Sequence, residues 1–382
     1  MNPFVRGTER ELADAVAVWA KTLEPRVAGS EKAGEIPPDV VRELAGLGVL
    51  GMTLPEQDGG LGASTVAFAL VLEELAAVWP SLAVSVAVNS GIVAASLVAN
   101  GTPEQRRRWL PTLTDGSGLA AFALTEPTSG SDVASLRARA TRDDEGWRVD
   151  GRKQFITNAR YAPFAIVLAR VGELEPERPH AGITAFVMPL DAPGVVIGPP
   201  ERKLGLRASD TSALVLERAR VGADAVLGPL GKGFALAMAA LDGGRIGIAA
   251  QAVGIARAAL KRARAYAKER KQFGRAIAGF EGVGFPLATL SAELCAARML
   301  TLRAAWLRDH GRPFTREAAM AKLYASEMAQ RATHAAVQAF GGNGYMREYV
   351  VERFARDGRA TTIYEGTTEV QRLVIARSLV TA

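Results

Sequence analysis

The chain has 382 residues, 48% of them hydrophobic and 23% charged, with a mean hydropathy of +0.09. At about 150 residues per domain this is material for two or three domains with a substantial core, and it excludes a disordered chain. One cysteine, Cys295, and three scattered histidines, His180, His310 and His334, exclude a disulfide framework and a Cys/His metal centre, so no metal ligands are expected.

The formal net charge is +6. Its basic residues are interspersed with acids rather than gathered into a tail, which makes nucleic acid an improbable partner. The opening residues, MNPFVRGTEREL, carry no apolar leader, so a cytoplasmic location is expected.

In chain order, Leu12, Val16, Trp19 and Leu23 recur at helical spacing. Pro37-Pro38-Asp39 opens a second helix bearing Val40, Val41, Leu44 and Leu47. Residues 65–79 read as a third helix. The uncharged stretch 81–100, with its serines and asparagines, reads as a buried helix rather than a membrane span. Gly46-Leu47-Gly48-Val49-Leu50-Gly51 spells the dinucleotide-binding fingerprint. It follows a helical segment and not a strand, so it reads as a glycine-rich helix end.

From about Leu119 to Gly228 the chain breaks into short β-rich runs. They are Trp147-Arg148-Val149, Ala165-Ile166-Val167-Leu168, Ile183-Thr184-Ala185-Phe186-Val187 and Ser212-Ala213-Leu214-Val215-Leu216. After Gly233 it is Ala-rich and helical, with a Leu287/Leu290/Leu294 stripe. Pro286 predicts a kink or a late helix start, and Cys295 a buried helical position. The fold class is α+β: an N-terminal helical domain (1–119), a middle β domain (120–228) and a C-terminal helical bundle (229–382). Strands do not alternate with helices, which argues against a doubly wound nucleotide fold.

Five loops concentrate chemistry. Ala123-Leu124-Thr125-Glu126-Pro127-Thr128-Ser129-Gly130-Ser131-Asp132 gathers hydroxyls and glycine amides in a tight turn able to donate to carbonyls or phosphates. Gly151-Arg152-Lys153-Gln154-Phe155-Ile156-Thr157-Asn158 puts an aromatic ring and a hydroxyl on one face of a strand. The others are Arg270-Lys271-Gln272-Phe273-Gly274-Arg275, Gln338-Ala339-Phe340-Gly341-Gly342-Asn343-Gly344-Tyr345 and Ile363-Tyr364-Glu365-Gly366-Thr367-Thr368-Glu369.

Together these loops resemble the acyl-CoA dehydrogenases, flavoenzymes of the α–β–α type. The likeness extends to Lys203-Leu204-Gly205-Leu206-Arg207 and Leu241-Asp242-Gly243-Gly244-Arg245, and runs in order over nearly the whole chain. The resemblance implies FAD as cofactor. Leu124 and Thr125 would bond the flavin ring, with Phe155 against it and Thr157 near its reactive nitrogen. Ser131 would sit where cofactor and CoA ester meet. Arg270, Phe273, Gln338 and Gly342 would reach the FAD of a neighbouring subunit, and Thr367 and Glu369 would complete the contacts within the subunit. Such sharing implies a homo-oligomer, usually a dimer of dimers.

Glu365 matches the family's catalytic base, with Gly366 beside it at the substrate. Asp242 and Arg245 match contacts on the CoA side. Some relatives carry the base at the position matching Gly244, which has no side chain here. Glu281 stands where the family often has glutamine. The implied reaction is α,β-dehydrogenation of an acyl-CoA to the trans-2-enoyl-CoA, with electrons passed to an electron-transfer flavoprotein. The Leu241–Ala249 run leans toward short or branched acyl groups. A flavin oxidase or monooxygenase of the same fold, or a flavoprotein that binds DNA, are the alternatives.

Overall fold

The structure, a computed structural model, describes residues 3–380. Helices α1 (Gly7–Thr22), α2 (Glu24–Ala33), α3 (Pro38–Gly46), α4 (Thr65–Val78), α5 (Pro80–Val86), α6 (Ala95–Asn100) and α7 (Pro103–Thr114) come first. The expected stripe of α1 buries Val16 with Ala13 and Ala20. Pro38 starts α3, where its missing N–H costs nothing. That helix ends where the glycine fingerprint stands, and Gly48 adopts φ 72, so the motif is a helix terminus. α4 is capped by Ser64, whose Oγ accepts from Ala67 N at 3.1 Å. Asp309, from the far end of the chain, accepts from Thr65 N and Val66 N.

α5 and α6 are joined by a π-helical segment, Ala87–Ala94, in which every residue is buried. Among the described residues, three helices could cross a membrane by length and hydropathy alone: Pro80–Asn100, Gly233–Glu269 and Glu281–Asp309. The first is almost wholly enclosed by the protein's own core.

The middle of the chain forms a mixed sheet. Its strands are β1 (Ala121–Ala123), β2 (Arg139–Asp143), β3 (Gly146–Thr157), β4 (Phe164–Val171), β5 (Ile183–Pro189), β6 (Val195–Pro200), β7 (Thr211–Val221) and β8 (Val226–Leu227). The order is β6-β7-β3-β2-β4-β5-β8, with β1 also paired to β4. β4 is covered on both faces: Ala165, Val167 and Ala169 point to one cluster, while Ile166 and Leu168 point to another shared with Leu97, Leu110 and Leu236.

The bundle comprises α8 (Gly233–Glu269), a small hairpin β9 (Lys271–Gln272) and β10 (Arg275–Ala276), α9 (Glu281–Asp309), α10 (Thr315–Phe340), α11 (Val351–Arg359) and α12 (Thr368–Val380). α8 is central, packing on α4, α9 and α10. Two expectations are corrected here. α9 begins at Glu281 and runs unbroken through Pro286, because the proline falls early and removes a single ladder bond. Cys295 is exposed, because the outward face of α9 has little packed against it within the subunit.

The helical N-terminal region and the loop before β7 meet at Glu31. Its carboxylate accepts from Trp79 Nε1 (2.9 Å), Ser81 Oγ (2.5 Å), Arg207 N (2.8 Å) and Ala208 N (3.2 Å). Nearby, Asp357 of α11 accepts from Leu206 N at 2.6 Å. Burial pushes the Asp357 carboxyl up to about 7, with the Glu31 charge adding to the shift. Removing Glu31 strands four donors, three of them buried, so Glu31→Ala should cost about 3 kcal/mol or more in urea unfolding. A loss below about 1 kcal/mol would show that this junction is not a structural node.

Candidate active site

Glu365 follows Tyr364 in the turn between α11 and α12 and has φ 53, with Gly366 at φ 89. A left-handed conformation costs a non-glycine residue roughly 1–2 kcal/mol, so the surroundings must hold it. They do so through the Gly366 carbonyl, which accepts from Lys322 Nζ at 2.5 Å and from Gln371 Nε2 at 2.9 Å. This directs the Glu365 side chain against α8 at a point where α8 has no side chain. A Cβ built on Gly244 would lie 2.2 Å from Glu365 Oε2 and 3.2 Å from Ile92 Cδ1 of the π-helical segment.

Glu365 as a residue is only half-buried, yet both its carboxylate oxygens are buried and neither has a hydrogen-bond partner among the described residues. Burial raises its pKa to about 7; the charges of Lys322 and Arg245 oppose the shift. A carboxylate withdrawn from water, unbonded and poised near neutrality is suited to accepting a proton from a weak carbon acid. Arg245, one residue on from Gly244, is buried and pairs with Asp242 at 2.5 Å, and its Nε has no partner. Asp242 also accepts from Thr315 Oγ1 at 2.6 Å.

Tyr364 leads from this carboxylate to a cavity of about 270 Å³. Phe155 and Thr157 line it together, as their spacing predicts, with Leu206, Ala360 and Ile363 among the other walls. Phe155 stands at φ 59 in an irregularity of the β3–β7 register between Lys153 and Ile156, and is 59% exposed. The bulge turns the ring out of the sheet's packing. An exposed ring, a nearby hydroxyl and an apolar wall fit the face and edge of a flavin. Leu124 and Thr125 lie alongside: Gln154 N donates to Thr125 O at 2.9 Å and Lys153 Nζ to Leu124 O at 3.1 Å.

Sequence reasoning missed the pair that fixes this loop. Lys153 is fully buried and bonds Glu126 at 2.8 Å, while Glu126 also accepts from Arg137 N and Ala138 N. Burial lowers Lys153 to about 8, against the Glu126 charge. The signal was available, since Lys153 occupies an inward position of a strand. Lys322 was missed as well, although it shares the apolar stripe Ala318, Ala325 and Ala329.

The remaining predicted residues are not drawn into this cavity. Ser131 lies exposed on its turn, and Thr367 and Glu369 sit at the start of α12. Arg270, Phe273, Gln338 and Gly342 are all exposed, Phe273 at 94%. Tyr266, one turn before Arg270, stacks on Phe340 at 4.0 Å and accepts from Asn343 Nδ2. These contacts join the C-terminal end of α8 to the 341–345 loop at one end of the bundle. Glu281 is exposed in the first turn of α9, where a carboxylate favours the helix dipole.

Family models for the acyl-CoA dehydrogenase N-terminal, middle and C-terminal domains match residues 7–117, 121–219 and 231–380. The mitochondrial short-chain specific acyl-CoA dehydrogenase of Bos taurus is 41% identical over 378 residues, covering 99% of this chain and 90% of that one. The butyryl-CoA dehydrogenase structure from Megasphaera elsdenii superposes with a TM-score of 0.95 at 38% identity, covering 98% of this chain and 99% of that one. A chain from a structure of the electron transferring flavoprotein of Acidaminococcus fermentans gives 0.96 at 36% identity, covering both chains completely.

The close approach at Gly244 generates a prediction. Gly244→Ala puts a methyl group on a rigid helix backbone, so the flexible carboxylate must move. The variant should fold and lose at least about tenfold in kcat, as expected for a reacting group shifted by an ångström. Unchanged kcat would show that the carboxylate tolerates displacement.

Proposed function

The chain belongs to the acyl-CoA dehydrogenase family, and from that premise we propose that it oxidises short-chain acyl-CoA thioesters to trans-2-enoyl-CoA with Glu365 as the base. Members of the family are FAD-dependent oxidoreductases, and the Phe155/Thr157 cavity fits that cofactor. FAD supplies, when bound, the two-electron acceptor for the hydrogen leaving the β-carbon. The observation that carries the base assignment is the buried, unpartnered Glu365 carboxylate raised to about 7.

In this reading Glu365 takes the proton from the α-carbon. Its own backbone N–H polarises the thioester carbonyl, stabilising charge that develops as the proton leaves. Thr157 and the Leu124–Thr125 backbone would hold the flavin edge, Phe155 would cover its face, and Ser131, Thr367 and Glu369 would extend the contacts outward. Asp242 and Arg245 position the CoA ester, and Gly366 packs beside it. Ile92, close to Gly244, narrows the space for an acyl chain, and a short-chain substrate agrees with the Bos taurus and Megasphaera elsdenii relatives.

Electrons leave to an electron-transfer flavoprotein, a reading supported by the Acidaminococcus fermentans neighbour. A tetramer is supported by the exposure of Arg270, Phe273, Gln338 and Gly342 and by the bare outer face of α9.

Anaerobic mixing of the FAD enzyme with acyl-CoAs of increasing length should bleach the flavin, most rapidly with short chains. No bleaching by any acyl-CoA overturns the activity, a long-chain optimum overturns the substrate class, and rapid oxygen uptake during turnover identifies an oxidase instead. Glu365→Gln should retain FAD and slow bleaching by about 10³-fold, within the range for a general base. The ionised carboxylate is the active form and its pKa is raised, so kcat/KM should climb with pH through about 7 and level off above it. A profile flat from pH 5 to 8 would overturn the assignment.

A further inference from the structure

We propose that Lys322 is a positioning residue for the reaction: its buried ammonium anchors the Glu365–Gly366 turn and keeps the base ionised at neutral pH. This rests on Glu365 being the base. Lys322 lies in the middle of α10, on the same stripe as Ala318, Ala325 and Ala329, and is fully buried. A lysine on that face packs worse than an alanine or leucine and must desolvate its charge, so stability alone does not account for it. Its Nζ donates to the carbonyl of Gly366, the residue after the base.

Two consequences follow from that bond. The first is mechanical. Glu365 and Gly366 are consecutive left-handed residues, and the turn has no helix or strand ladder of its own. Its carbonyl is gripped from one side by Lys322 on α10 and from the other by Gln371 on α12. Gln371 also reaches the Glu365 carbonyl at 3.4 Å. The base is thus tied to the two helices that flank it and directed at Gly244 on a third.

The second consequence is electrostatic. The carboxylate has no hydrogen bond to stabilise its charge, so it depends on nearby cations. Lys322 is the leading one and Arg245 of α8 the other. Arg245 is engaged by Asp242, which leaves Lys322 as the cation not committed to another carboxylate at short range. The further charges acting on Lys322 are Glu369 at the start of α12 and Glu327 one turn along α10. Burial lowers Lys322 itself to about 8, with Glu365 as the main opposing charge, so it stays cationic where the base must work. Tyr364 completes the surroundings with its hydroxyl on Gln251 and burial holding it neutral.

The test uses the FAD-bound enzyme with Lys322→Gln, which keeps a donor for Gly366 but removes the charge, and Lys322→Met, which removes both. In both variants the acid limb of kcat/KM should move up by about one pH unit, a roughly tenfold loss below the limb that recovers at high pH. Lys322→Met should lose a further several-fold in kcat that high pH does not restore, because the turn is freed. Infrared titration of the Glu365 carboxyl, identified by its disappearance in Glu365→Gln, should follow the same upward shift without turnover.

Variants that lose only thermal stability, with limb and infrared titration unmoved, overturn the proposal and leave the base assignment intact. Retained bleaching in Glu365→Gln overturns the base assignment itself. If Lys322→Met does not fold, Lys322→Gln and its infrared titration decide alone.

Discussion

The active-site architecture depends on one steric constraint: the Glu365 carboxylate occupies space that α8 leaves free only because residue 244 is glycine. A Cβ there would sit 2.2 Å from the carboxylate, far inside van der Waals contact. Glycine in a helix interior costs roughly 1 kcal/mol relative to alanine. Here that cost lets a helix backbone and a carboxylate approach within contact distance. Gly244 and Glu365, 121 positions apart in the chain, therefore define one feature.

Around this contact, burial and charge are set against each other. Desolvation raises Glu365 and Asp357 and lowers Lys153 and Lys322, and each is brought partway back by an opposite charge or a backbone donor. The two lysines serve different ends. Lys153 locks the Leu124–Ser131 loop to β3 through Glu126, which rigidifies the wall beside the flavin cavity. Lys322 holds the Glu365–Gly366 turn through the Gly366 carbonyl. Left-handed residues gather at the same places: Phe155, Phe273 and Glu365 are all non-glycine residues at positive φ, and all three belong to the loops that carry chemistry. Strain of this kind persists only where neighbours over-determine the backbone, as the Lys322–Gln371 grip does at Glu365.

Much of this was legible from residue patterns. Apolar periodicity of 3.6 and 2 located α1, α3, α4, β4, β5 and β7, because each buries one continuous face or both. It passed over α2, whose single-turn pattern is weak, and the short strands β1 and β8, which are held by neighbours rather than by their own residues. The fingerprint at Gly46–Gly51 was rightly discounted on context. Pro286 was misread because so early in a helix a proline removes only one ladder bond, and Cys295 because exposure depends on what packs outside α9, which is absent from a local window.

By itself, then, the sequence determined the α–β–α order and the family, since these follow from local periodicity and from motifs read in order. Tertiary structure decided that Glu365 meets Gly244, that Lys322 and Lys153 are buried where their charges matter, and that Phe155 turns out of its sheet. Those outcomes depend on distances between segments remote in the chain, and a pKa or a steric clearance is a property of the space between residues, not of the residues alone.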